Sequence, residues 1–254
     1  MGRQVCLRRL NAALPGAAGY ASAMDGKPMP ASMPLWWLPL ALALVPVLAV
    51  HLAWWLSLRA EHIPDCIPYL EGCTSISRAA RHGLGNHLFR YFMLPCAAGQ
   101  ALFWFAVTGW LRAQGRRVGP ALPALGLLAA IFLGLYATFL GTEGDVYRLL
   151  RRYGVTVYFA STYLALLLAL RATARPAIAP HRALLVVALG MLVLGVLSTI
   201  ATATVSDEAL KDRIENVLEW HLGAWLTAMF LVFAWRWRRD GTRVALLPAP
   251  SKPL

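Results

Sequence analysis

Residues 61–90 gather two cysteines (Cys66 and Cys73), three histidines (His62, His82 and His87) and the hydroxyls of Thr74, Ser75 and Ser77. These types suggest several chemistries. A serine nucleophile needs a base within hydrogen-bond reach and a third group to orient that base. Ser75 and Ser77, with His82, His87 and nearby carboxylates, supply the types, but the chain has neither a GxSxG elbow nor an HExxH metal motif. Cys66 and Cys73 flank Ile67–Gly72, a wider gap than the two to four residues of zinc sites, so no metal is expected. In an oxidising compartment such a pair forms a disulfide. Pro68 and Gly72 favour the tight turn this requires, and two free thiols are the alternative. Haem needs axial ligands that face each other at membrane depth. His51 is the one histidine well inside an apolar run and has no second pair to join it, so no cofactor is expected.

The elements that must position these residues are apolar. Of 254 residues, 59% are hydrophobic and 14% charged, against about 25% charged in soluble domains. A helix crosses the hydrocarbon core with about 20 apolar residues. Six segments qualify, at 35–57, 91–111, 121–141, 153–170, 183–204 and 217–235. Backbone groups in lipid must be satisfied within their own segment, so the spans are helices and the fold class is all-α, a six-helix transmembrane bundle. Pro39, Pro46 and Pro95 are candidate kink sites. Trp36, Trp37, Trp54, Trp55, Trp110, Trp235 and Trp237 lie near span ends, as an interfacial belt would. The organisation expected is a flexible N-terminal tail at 1–33, a transmembrane domain at 34–238 with an ordered loop at 61–90, and a C-terminal tail at 239–254. The first 33 residues have no apolar core of the signal-peptide kind after Arg3, Arg8 and Arg9. Met24 and Met33 are further possible starts.

The net charge of +12 would suggest nucleic acid in a soluble protein. Here the charges sit in connectors and tails, without the interleaved aromatics of a nucleic-acid groove, so no nucleic acid is expected. With six spans, 15 of the 24 Lys and Arg residues fall on the side of the two tails. The positive-inside rule makes that side cytoplasmic. Ten of the 12 acidic residues fall on the other, outer side, with His62, His82, His87 and His221. Any chemistry is therefore expected at the outer face.

The six spans, the loop sequences Pro68-Tyr69 and Ser75-Ile76-Ser77, the Leu88-Phe89-Arg90 entry to the second span and Glu219-Trp220 in the sixth resemble the DRAM-like superfamily over residues 35–238. That group contains the damage-regulated autophagy modulators, Sfk-type proteins and a protein of GPI-anchor lipid remodelling. The resemblance implies lipid handling, and the Ala/Arg/Gly-rich composition suggests a bacterial member of the plasma (inner) membrane. Two positions depart from the family pattern. Arg151-Arg152-Tyr153-Gly154 stands where a histidine often precedes the glycine, and Arg78 stands where an acidic residue usually follows the second serine.

The reading is a membrane protein that binds or handles a lipid or other amphiphile at the outer face, with membrane lipids as partners. A membrane enzyme acting on acyl or head groups, a small-solute transporter and a scaffold for partner proteins are the alternatives. The ligand-binding candidates are Glu219, His221, Arg90, His87, Ser75, Ser77 and Arg78, with Cys66 and Cys73 as the disulfide. Glu215 and Glu219 share a helix face at i,i+4 spacing. Arg78, Arg81, Arg90 and Arg151 are the possible cationic partners of Glu219, Arg90 first among them. The residues to bury in the loop are Ile63, Pro64, Ile67, Pro68, Tyr69, Leu70 and Leu88.

Overall fold

A computed structural model describes residues 32–173 and 180–245. Of the expected tails and connectors, residues 1–31, 174–179 and 246–254 lie outside the described residues. Two units divide the chain: one comprises 1–33 and 243–254, the other Pro34–Thr242. Strands β1 (Ser32–Pro34), whose last residue opens the second unit, and β2 (Arg243–Ala245) form a small ribbon. The Arg243 guanidinium donates to the Ser32 hydroxyl and carbonyl at 2.9 and 2.8 Å.

The second unit is helical. Six long helices, α1 (Trp37–Arg59), α4 (Gly83–Ala113), α5 (Ala121–Phe139), α6 (Asp145–Thr173), α7 (Pro180–Thr204) and α8 (Glu208–Arg239), alternate in direction. All six are long and apolar enough to cross a membrane, so this is an all-α, six-span membrane protein. Two short helices, α2 (Pro68–Glu71) and α3 (Ile76–Ala79), fill the connection from α1 to α4. The α1–α4 connection, the α5–α6 turn and the α7–α8 turn share one end of the bundle, here the loop end.

Three helices far outrun the spans read from hydropathy. α4 begins at Gly83 rather than 91, α6 at Asp145 rather than 153, and α8 runs from Glu208 to Arg239 rather than 217–235. Helices continue past the hydrocarbon wherever caps and dipole-matched charges permit. The Asp207 carboxylate receives the Ala209 and Leu210 amides at 2.9 and 3.2 Å, and Arg236, Arg238 and Arg239 occupy the last turn of α8.

Neighbours in sequence are neighbours in space. α1 packs on α4, α4 on α5, α5 on α6, α7 on α8, and α8 returns to α1. The seam between α6 and α7 is the loosest side of this ring. Small residues set the close approaches: a Cβ at Gly126 would run into the Trp104 ring, and one at Gly190 into Trp225. Trp37, Trp55 and Trp235 face outward as belt residues, but Trp110 and Trp237 are buried in an aromatic cluster with Phe103 and Phe233. Proximity to a span end does not decide whether an indole faces lipid or core.

Candidate functional site

The loop is clamped onto one stripe of α8. Asp212, Asn216, Glu219, Trp220 and Gly223 recur at helical spacing, so one face of α8 meets the loop. Asp212 pairs with both terminal nitrogens of Arg78, at 2.9 and 2.8 Å. The Asn216 amide donates to the Gly72 carbonyl at 2.8 Å, and the Trp220 indole to the Thr74 carbonyl at 2.9 Å. Glu219 accepts from the Ser77 amide at 3.3 Å, with the Ile76 amide also turned toward it. Glu219 therefore meets the first turn of α3. On the far side, Ser57 donates to the Ala79 carbonyl at 2.6 Å, and Asn86 bridges the Ala80 and Leu140 carbonyls at 2.9 and 3.0 Å.

Local sequence shapes the loop before the clamp closes. Pro68 opens α2, the Glu71 carboxylate receives the Ile67 amide at 2.8 Å, and Gly72 ends the helix in the left-handed region at φ 61°. A Cβ at Gly72 would collide with the Arg213 carbonyl, so α8 also demands glycine here. Ser75 caps α3 by accepting from the Arg78 amide at 3.1 Å. Cys66 and Cys73 come into bonding contact with Cα atoms 6.5 Å apart, inside the range of about 4.4–6.8 Å that a disulfide spans. Ile63 and Pro68 are buried, Ile63 packing with Ala79 and Trp220. Ile67, Leu70 and Pro64, expected to be buried, are exposed. α2 has room for only one inward face, and Pro68 and Tyr69 occupy it.

Behind the loop lies a cavity of about 290 Å³, walled by α1, α4, α5, α6 and α8. Its lining is almost wholly apolar: Val47, Met93, Leu133, Tyr158 and Phe230 are representative. Polar groups collect at the loop end, where His51, Tyr69 and Glu219 line it. His51 Nδ1 lies 2.7 Å from the Val47 carbonyl, which can only accept, so Nδ1 carries the proton. In that tautomer Nε2 is the acceptor and receives the Tyr69 hydroxyl at 3.2 Å. Burial raises the Tyr69 phenol above its usual range, so it stays protonated and donating at neutral pH. His221 Nε2 donates to the Tyr69 carbonyl at 3.2 Å, fixing that residue from the other side. What remains available to a guest is acceptor capacity on Tyr69 and Glu219.

A second, wider cleft of about 760 Å³ opens between α6, α7 and α8 at the loop end. Arg81, Arg148, Arg151 and Arg152 line it, with Glu215 and Glu219. Glu215 accepts from Thr202 of α7 at 2.8 Å. The two carboxylates expected on one helix face do share this cleft.

The sequence candidates therefore separate. Ser75, Ser77, Arg78, Glu219 and His221 come together where the loop meets α8. Ser75 and Ser77 hydroxyls bond each other at 3.1 Å, and neither bonds a histidine among the described residues. His87 is exposed, and His82 packs against His62. The pairing of Glu219 with Arg90 is corrected: among the described residues no hydrogen bond or ion pair joins them, and Arg90 lines neither cavity. Arg90 lies two turns into α4, whereas Arg78 and Arg81 lie close enough to act on the Glu219 charge. No group of three metal-ligating side chains occurs among the described residues. Tyr69 and His51 are the polar lining residues that spacing alone did not bring forward. Comparison of the chain with protein-family models, curated proteins and solved structures gives no match.

Proposed function

We propose that this protein binds an amphiphile, with the apolar part in the central cavity and the polar part at the loop end. The observation that carries this reading is the polarity of the cavity: apolar along the bundle, with His51, Tyr69 and Glu219 at one end. Its volume of about 290 Å³ is near the roughly 300 Å³ at which small-molecule sites begin. An acyl chain gains little hydrophobic free energy on moving from lipid into an apolar cavity, since lipid tails are equally apolar. Selection must therefore come from the polar end, where His51, Tyr69 and Glu219 line the cavity. Arg78 and His221 hold the loop in place around it, and a Cys66–Cys73 disulfide closes the loop.

This reading agrees with the resemblance to the DRAM-like group and with lipid handling in a bacterial plasma membrane. The loop end is then the outer face and both termini are cytoplasmic, as the distribution of Lys and Arg implies. The role is binding rather than catalysis.

A phospholipid carrying a photoactivatable acyl chain tests the reading in reconstituted membranes. Crosslinks are expected on inward residues such as Val47, Met93 and Phe230. Crosslinks confined to outward residues that line no cavity, such as Leu189 and Val193, would overturn it.

A further inference from the structure

The cleft between α6 and α8 is more than a gap left by loose packing. At the loop end four guanidinium groups face two carboxylates. Arg148 is tied to Asp145 at 2.5 Å, and Arg151 donates one terminal nitrogen to the Phe139 and Thr142 carbonyls. The Arg81 and Arg152 guanidiniums have no hydrogen-bond or ion-pair partner among the described residues. Arg81 Nε is also buried without a partner. A buried guanidinium nitrogen left unpaired is costly, and a guest that accepts its hydrogen bond removes that cost.

Two apolar spaces meet the cleft. It shares Tyr136, Val155, Phe159 and Glu219 as walls with the central cavity. Toward the middle of the helices it shares Phe159, Gly195 and Leu222 with an apolar groove of about 390 Å³ between α6 and α7. That groove is lined by Tyr163, Met191, Val196 and Ile200. It follows the loosest seam of the ring, beside the outward apolar side chains of α7.

We infer that the α6–α7 seam is the site of an anionic two-chain phospholipid, with its phosphate on Arg81, Arg151 and Arg152, one acyl chain in the central cavity and the other in the α6–α7 groove, a site that presupposes the amphiphile binding proposed above. Arginine suits this task because its planar fork binds phosphate oxygens in pairs. A zwitterionic headgroup brings its own cation into a cleft already positive, which disfavours it. Entry is sideways from the bilayer, through the seam.

The test uses the full-length protein in detergent, presented with phosphatidylglycerol and phosphatidylcholine of identical chains, and reads the ratio retained by native mass spectrometry. Wild type is expected to prefer phosphatidylglycerol by about tenfold, because both lipids carry the phosphate and only phosphatidylcholine adds a cation beside the arginines. Arg81→Gln combined with Arg152→Gln is expected to bring the ratio close to one. Thr156→Glu, which adds an anion on an exposed cleft residue, reads the same charge without touching the arginines, and should also lower the ratio. Both lipids retained equally by wild type would overturn the headgroup site and leave amphiphile binding standing. So would a preference unchanged in both variants. Retention of neither lipid would overturn amphiphile binding itself and the headgroup site with it. Thermal stabilisation by inorganic phosphate without lipid retention would show a free-anion site and overturn the lipid assignment.

Discussion

Glu219 stands where three demands meet: the Ser77 amide of the loop, the Arg78 and Arg81 charges, and the walls of both cavities. Its carboxylate accepts a partly buried backbone donor, and an amide oxygen can replace it there. Glu219→Gln is therefore expected to keep the loop seated. Glu219→Leu leaves the donor unpaired and should cost about 1–3 kcal/mol, read as a lower melting temperature in detergent. Equal melting of the two variants would remove the loop contact from the account. The Arg78–Asp212 pair has better geometry, but its side chains are 41% and 49% exposed. Pairs this open contribute about 1 kcal/mol or less. Gln100 is the opposite case. It is 1% exposed, beside the Tyr158 hydroxyl but outside hydrogen-bonding geometry. Gln100→Leu removes a buried, unsatisfied amide at similar volume and is expected to leave the melting temperature unchanged or raise it. A clear drop would show that the amide has a partner.

At the scale of elements, the loop is built by two four-residue helices that cannot stand alone and are held by α8. Gly72 is the joint. Its φ of 61° and its closeness to the Arg213 carbonyl both exclude a side chain. Gly72→Ala is expected to cost the roughly 1–2 kcal/mol of a left-handed L-residue and to displace the loop besides. Faster proteolysis within residues 61–67, with an earlier melt, is the readout, and an unchanged digestion pattern would contradict it. The six long helices were legible in the sequence because about 20 apolar residues leave a continuous trace. Their true ends were not, since α4, α6 and α8 continue into charged residues that hydropathy discards. On the α8 side of the clamp only Glu219 and Trp220 stood out in the sequence; Asp212 and Asn216 share their helical spacing, which does not say what that face meets. The loop side was hidden, because Gly72 and Thr74 take part through backbone carbonyls, which every residue carries. Arg90 misled because nearness to a span end says nothing of which way a helix face turns.

For the whole molecule, the ring of helices has one loose side, and both the arginine cleft and the apolar groove lie along it. The two ends of the bundle differ in charge: the loop end holds ten of the 12 acidic residues and nine of the 24 basic ones. In a six-span sequence the remaining basic residues belong to the tails and the connectors on their side, and we propose on that ground that both termini lie in the cytoplasm. A reporter fused after Leu254 should be active only in the cytoplasm, and activity only outside would reverse the orientation.

The central claim is that an amphiphile occupies the bundle. Native mass spectrometry of the gently solubilised protein tests it most directly, with wild type compared against Val47→Phe combined with Thr227→Phe. Both substitutions enlarge side chains that line the central cavity and leave the loop contacts untouched. The expected result is a lipid-sized adduct on wild type that is lost from the filled variant at an unchanged melting temperature. An adduct retained equally by both proteins, or absent from wild type, would contradict the claim.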